Sequence, residues 1–305
     1  MKRLHRKRDA AALSSRLIRR PIQRMVWLFL LPTFAAFCIG FLYPFLKGAF
    51  LSFCKFKLTS QWTWVGFSNY VKAFSDSTFV HAFWYTALFA FVSVLFINVL
   101  AFAVAYFLTK GIKGSNLFRT VFFMPNLIGG IVLGYIWSMI FDGILVKYET
   151  SVVLESKYSF WGLIILMCWQ QVGYMMIIYI AGLQSVSEDM LEAARIDGAN
   201  GWQILWKITI PTVMPSITIC TFLTLTNSFK LFDQNMVLNE GRPYIFQNGV
   251  QIKTTEMLAL NIYNTFYMNA KSRGVGQAKA VLFFILVAAI ALIQLRATHE
   301  KEVQQ

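Results

Sequence analysis

Charge is scarce in this chain of 305 residues. Charged side chains make up 14% of it, whereas 57% is hydrophobic and 16% aromatic. A soluble domain carries about 25% charged residues, so the deficit argues against a soluble core and for a bilayer. Histidine is rarer still, with three residues scattered at 5, 81 and 299, which leaves no metal cluster. The four cysteines, Cys38, Cys54, Cys168 and Cys220, lack metal-type spacing, and three fall in apolar runs. They offer no disulfide framework. The sequence contains no GxxxxGK[ST] loop, so nothing in it cradles a nucleotide phosphate and no cofactor is expected in this chain. It also has no convergent set of nucleophile, base and metal ligands, which argues against an enzyme.

What remains is long apolar runs. A helix needs about 20 residues to cross the hydrocarbon core. Six blocks qualify, at 25–47, 82–108, 117–141, 160–183, 214–238 and 279–297. The expected fold is all-α, a polytopic membrane protein with one six-helix domain over 25–298. A basic cytoplasmic segment, 1–24, precedes it and a short cytoplasmic tail, 299–305, follows.

The net charge of +14 is unevenly placed: nine of the 28 Lys and Arg precede Met25. A basic cluster beside the first span is a positive-inside signal and suits anionic lipid headgroups; its placement does not suit nucleic acid. The first apolar run is too long for a signal peptide and contains Pro32. With the amino end inside, six crossings put both termini in the cytoplasm. The loops 109–116 and 184–213 are then cytoplasmic, and 48–81, 142–159 and 239–278 face outward. In 254–268, Leu258, Ile262 and Phe266 recur every four residues, which predicts a short outer helix on the membrane or under a partner. Trp62, Trp64 and Tyr70 fit an interfacial aromatic belt.

The stretch from Ser185 to Pro215 is charged and amphipathic, yet it joins two apolar runs. Ser185 with Glu188 fits a capping box, with Ser187 as a competing N-cap. Glu188 and Asp189 favour the positive end of the helix dipole. Met190, Ala193, Ala194 and Asp197 share a face that another protein's cleft could approach. Gly198 can end this helix in the left-handed conformation, and Asn200 can start the next. Two spans have no folding need for so elaborate a connection, so it reads as a docking site for a soluble partner.

EAARIDGANGWQILWKITIP resembles the EAA loop of permease subunits from ATP-binding-cassette importers. Glu192, Ala193, Ala194, Asp197, Gly198, Ala199, Ile208, Ile210 and Pro211 match that pattern. WVGFSNYVKAF at 64–74 and FFMPNLIGG at 122–130 are similar to segments of carbohydrate permeases, and the likeness to the maltose-transporter type covers nearly the whole chain. The resemblance implies the type I importer permease fold in a bacterial cytoplasmic membrane. It also implies a related second permease as heterodimer partner, two ATPase subunits that bind ATP and magnesium, and an extracytoplasmic solute-binding protein. The first loop helix would be the coupling helix, with Glu192 pairing with a basic residue of the ATPase; the bland alternative is a solvated carboxylate.

Polar side chains within spans are costly unless they face the bundle or water. In the fourth span, Gln170, Gln171 and Tyr174 lie on one side, and in the fifth Thr224, Asn227 and Ser228 share a face. Amides and hydroxyls beside an aromatic ring suit a sugar. The resemblance implies the same residues as pathway candidates, while interhelical hydrogen bonding is the competing reading. Lys230 departs from the neutral residue expected there. Asp233, one turn on, is its obvious partner, and the alternative is selection of an anionic sugar. A stand-alone ion-coupled carrier of a small polar solute is the other class of function; it needs a coupling-ion site, for which only Lys230 and Asp233 are credible.

Overall fold

The computed structural model describes residues 30–247 and 249–299. The basic cluster before Met25, the start of the first predicted span and residues 300–305 lie outside the described residues. Among the described residues, five helices are long and apolar enough to cross a membrane: α1 (Leu30–Leu51), α3 (Ser77–Leu108), α5 (Gly130–Leu145, prolonged by a 3-10 turn), α6 (Ser156–Gln184) and α12 (Arg273–His299). A bent pair supplies up to one more. Its first arm, Gly201–Thr212, begins as α8 (Gly201–Ile204), and it meets α9 (Met214–Phe229) at 69°.

The shorter helices are α2 (Ser68–Phe74), α4 (Ser115–Phe123), α7 (Glu188–Ile196), α10 (Asp233–Leu238) and α11 (Leu258–Tyr267). Two antiparallel hairpins interrupt the helical pattern, β1 (Cys54–Leu58) with β2 (Gln61–Trp64), and β3 (Tyr244–Gln247) with β4 (Val250–Lys253). The hairpins, α2 and α11 gather at one end of the bundle, where α3 and α6 begin: His81 reaches the Thr254 carbonyl and Ser156 the Thr254 hydroxyl. The 184–213 connection lies at the other end, where Trp202 and Trp206 meet Tyr106 and Phe107 across an apolar cavity.

Two predicted spans are broken. The third does not run through 117–141: α4 stops at Phe123, a 3-10 turn covers Met124–Leu127, and α5 starts at Gly130. Pro125 cannot donate to a preceding turn, and Gly129 is extended at ψ 143°. The fifth span ends at Phe229 instead of reaching 238, and α10 restarts after Phe232, whose φ of −128° and ψ of −61° are not helical. The second span begins earlier than 82, because Asp76 caps α3 by accepting from the Thr78 amide. The last begins at Arg273, not 279. At Gly274 the helix runs against the first hairpin, where a Cβ would fall 2.3 Å from the Cys54 carbonyl oxygen.

The outer helix predicted over 254–268 exists as α11, but its apolar stripe turns inward. Leu258 is buried and Ile262 packs beside it against α3, α9 and α12, while Phe266 covers Leu51, Cys54 and Phe56. The stripe is therefore part of this chain's own core. Trp62 and Trp64 are exposed as expected, but Tyr70 is only half-exposed and hydrogen-bonds the Ser52 hydroxyl.

The main core lies where α3 and α9 pack on α6, around Phe89, Ile97, Leu163, Met167, Met175 and Tyr179. Gly173 brings α6 against the end of α4; a Cβ there would lie 1.8 Å from the Phe122 carbonyl oxygen. A buried ion pair anchors the hairpin end. Lys279 is fully buried and donates to Asp76 Oδ2 at 2.7 Å, Thr265 Oγ1 at 2.8 Å and Asn261 Oδ1 at 2.9 Å. It thereby ties α12 to the start of α3 and to α11.

Burial pushes the Asp76 carboxyl up, but the Lys279 hydrogen bond and charge and the Thr78 hydrogen bonds together hold it below its ordinary value. A carboxyl lowered on folding stabilises above its unfolded pKa of about 3.9, and that contribution is lost as pH falls through the lowered value. Removing one partner of a buried pair costs about 3–5 kcal/mol because the other charge is stranded. Asp76→Ala is therefore expected to lower the thermal midpoint of the detergent-solubilised protein strongly, and Asp76→Ala with Lys279→Met to regain most of the loss.

Candidate functional site

The two helix breaks meet beside α6. Gly130 and Gly134 on α5 admit α10: a Cβ on Gly130 would lie 2.9 Å from both Asp233 Cβ and Gln234 Nε2. Between the breaks lies a polar cavity of about 360 Å³. Gln170, Gln171, Asn227 and Lys230 line it, together with Asn126 and Gln234. The amides form two hydrogen-bonded sets around it. Gln234 Nε2 donates to Gln170 Oε1 at 2.8 Å, Gln170 Nε2 to the Ile128 carbonyl at 3.3 Å, and Asn227 Nδ2 to Gln171 Oε1 at 3.3 Å.

Lys230 sits at the C-cap of α9 and is exposed. It forms no salt bridge among the described residues, so the expected pair with Asp233 is not made, although both line the cavity. The helix break between them is the reason: a residue three positions on lies one turn away only if the helix continues. The cavity thus carries one cation, one carboxylate and several amides, a set able to hydrogen-bond a hydroxyl-rich solute from many sides.

The remaining predicted pathway residues do not line this cavity. Thr224 and Ser228 are fully buried. Thr224 accepts from Asn98 Nδ2 at 2.9 Å, and Tyr179 donates to Asn98 Oδ1 at 2.7 Å, joining α9, α3 and α6. Ser228 donates to the Thr224 carbonyl. Tyr174 is half-buried against Phe123 and the main core. Sequence reading passed over Asn126 and Gln234. Each sits within a few positions of a helix break, next to Pro125 or just after Phe232, and the breaks themselves emerge only in the structure.

At the opposite end, α7 has no buried residue. Glu192, Ala193, Asp197 and Gly198 are exposed and Ala194 is half-buried, so the predicted face is open. The capping box expected at Ser185 and Glu188 does not form. Ser185 Oγ turns back to the Gly182 carbonyl at 2.7 Å, and Ser187 takes the N-cap position without a side-chain bond. Gly198 has a φ of 82°, ending α7 in the left-handed region as expected. Asn200 and Gln203 make a reciprocal capping box that starts α8, with both bonds at 2.8 Å.

The family model described as "Binding-protein-dependent transport system inner membrane component" matches residues 97–299, most of the chain. The chain belongs to this family. Among its relatives is the probable starch degradation products transport system permease protein AmyD of Thermoanaerobacterium thermosulfurigenes, 39% identical over 91% of this chain and 95% of that protein. The multiple sugar-binding transport system permease protein MsmF of Streptococcus mutans is 28% identical over 91% of this chain and 96% of its own length. In fold, the chain is similar to a bacterial ABC transporter involved in the import of the acidic polysaccharide alginate, with a TM-score of 0.75 at 19% identity, covering 93% of this chain and 98% of that one.

As an inner membrane component of a binding-protein-dependent system, the chain needs a wet path through its helices, and the cavity has the required polarity. Exposure of Lys230 beside a buried Ser228 is directly measurable. In a background without Cys38 and Cys168, Lys230→Cys is expected to react with a membrane-impermeant thiol reagent on solubilised protein, and Ser228→Cys to remain unlabelled by mass spectrometry.

Proposed function

We propose that this chain is the permease subunit of an ATP-driven importer for a sugar or oligosaccharide and forms half of the translocation pathway. The observation that carries the reading is the joint presence of an amide-rich cavity between two helix breaks and, at the far end of the bundle, a helix with no buried residue. The names of the relatives support a carbohydrate substrate. Gln170, Gln171, Asn227 and Lys230 contact the solute, while Thr224, Ser228 and Tyr174 hold the helices that carry them. Family membership disfavours a stand-alone ion-coupled carrier.

In this reading the partners are a second permease, two ATPase subunits and an extracytoplasmic solute-binding protein, and the ATPases hold ATP and magnesium. Both termini lie in the cytoplasm, as does the 184–213 elbow. Glu192, Ala193, Ala194, Asp197 and Gly198 form the contact with the ATPase. An exposed ion pair is worth only about 0–1 kcal/mol, so Glu192 serves orientation more than affinity. The two small alanines let the partner's groove come close.

Two variants test this. Glu192→Lys and Gly198→Pro are expected to leave membrane insertion intact and to reduce ATP-dependent uptake strongly while ATP hydrolysis by the assembled complex continues, because the lost contact transmits motion and contributes little affinity. Full uptake by both variants would sink the docking assignment.

A further inference from the structure

A second cavity, of about 480 Å³, adjoins the polar one, and Phe232 lines both. Its character is the opposite: Phe232, Tyr263, Phe266 and Tyr267 form its aromatic side, and Gly276 and Gln277 of α12 face them. The rings are in series. Phe232 lies 5.1 Å from Tyr263 between centroids, Tyr263 lies 4.7 Å from Tyr267, and Phe266 lies 5.0 Å from Tyr267. Tyr263 is half-buried and Tyr267 is 62% exposed, so the outer end of the row is open.

We propose that Phe232, Tyr263 and Tyr267 are a stacking track for the further rings of an oligosaccharide whose leading unit occupies the polar cavity; this rests on the carbohydrate reading above. A pyranose presents two kinds of surface, hydroxyl edges and apolar C–H faces. The two cavities match them in order, amides first and aromatic faces next, with Phe232 as the shared wall. A cluster serving only to pack would fill its own space, whereas these rings border open volume. The phenol groups of Tyr263 and Tyr267 and the Gln277 amide supply the few polar contacts that such a cavity uses to orient its ligand. Gly276 keeps α12 close to α11, because a Cβ there would lie 3.0 Å from Phe266. The track therefore favours longer chains over short ones.

The test is uptake of a disaccharide and a pentasaccharide of α-1,4-linked glucose into proteoliposomes holding the complete transporter, with saturating binding protein. One lost aromatic stacking face is worth about 0.5–1.5 kcal/mol, or roughly a two- to tenfold change. Tyr267→Ala, at the outer end, is expected to reduce pentasaccharide uptake by about that factor while the disaccharide, whose second ring reaches no farther than Phe232 and Tyr263, is unaffected and serves as an internal control for folding. Tyr267→Phe, which keeps the ring face, is expected to restore it. Equal losses for both sugars, or no loss, would overturn the track. Absence of ATP-dependent uptake of either sugar by the wild-type complex would instead overturn the reading of substrate class on which the track depends.

Discussion

The Gln170 carboxamide holds together two of the places where the helical bundle is interrupted. In hydrocarbon every backbone polar group must be satisfied within the protein, and an interrupted helix is tolerated only where it is buried or lines a wet cavity. Gln170 bonds to both interruptions at once, to a backbone carbonyl at one and to a side chain at the other. Its nitrogen donates to the carbonyl of Ile128, beside the Pro125 break, and its oxygen accepts from Gln234, just past the Phe232 break. Two elements that would be unacceptable singly become the two walls of one cavity. The glycines of α5 permit this arrangement by letting α10 approach.

The hairpin end is organised by a different kind of bond. Lys279 is buried beside Asp76, Asn261 and Thr265, and Glu256 accepts from Asn261 and Asn264 nearby. Such a network is costly to assemble in a low-dielectric setting and costly to break by halves. It fixes α12, α11 and the start of α3 as a unit, and it holds the row of aromatic rings on α11 at a set distance from Phe232. Rigidity at this end contrasts with the elbow, where α7 contributes Leu191 alone to the main core.

Length and hydropathy made the second, fourth and last spans legible, because an uninterrupted apolar run of that size has one outcome in a bilayer. They could not locate the breaks at Pro125 and Phe232. Proline is tolerated in membrane helices when neighbours re-satisfy the freed groups, so its presence decides nothing until the neighbours are known. The elbow was read well at Gly198 and Asn200, where local chemistry dictates backbone conformation. It was read less well at Ser185, whose hydroxyl had two local acceptors to choose between. Face assignment also misled at α11, since a four-residue spacing identifies an apolar stripe without saying what covers it. Of the seven polar residues singled out within the spans, Gln170, Gln171, Asn227 and Lys230 meet at one cavity. Thr224 is drawn into the interior by Asn98 on the second span, and Ser228 bonds back to the Thr224 carbonyl of its own helix. Asn126 and Gln234 stayed invisible because their importance follows from where two distant segments cross.

The corner at Val213 has a mechanical consequence. With 16 residues, α9 is a rod of roughly 24 Å, held at 69° to the segment that precedes it. Force along the shorter arm becomes torque on the longer one. A swing of only about 10° would carry the far tip through roughly 4 Å, a lever length times an angle. Asn227 and Lys230 ride at that tip, so a modest rotation would be enough to part Asn227 from Gln171 and change the cavity's shape from a distance.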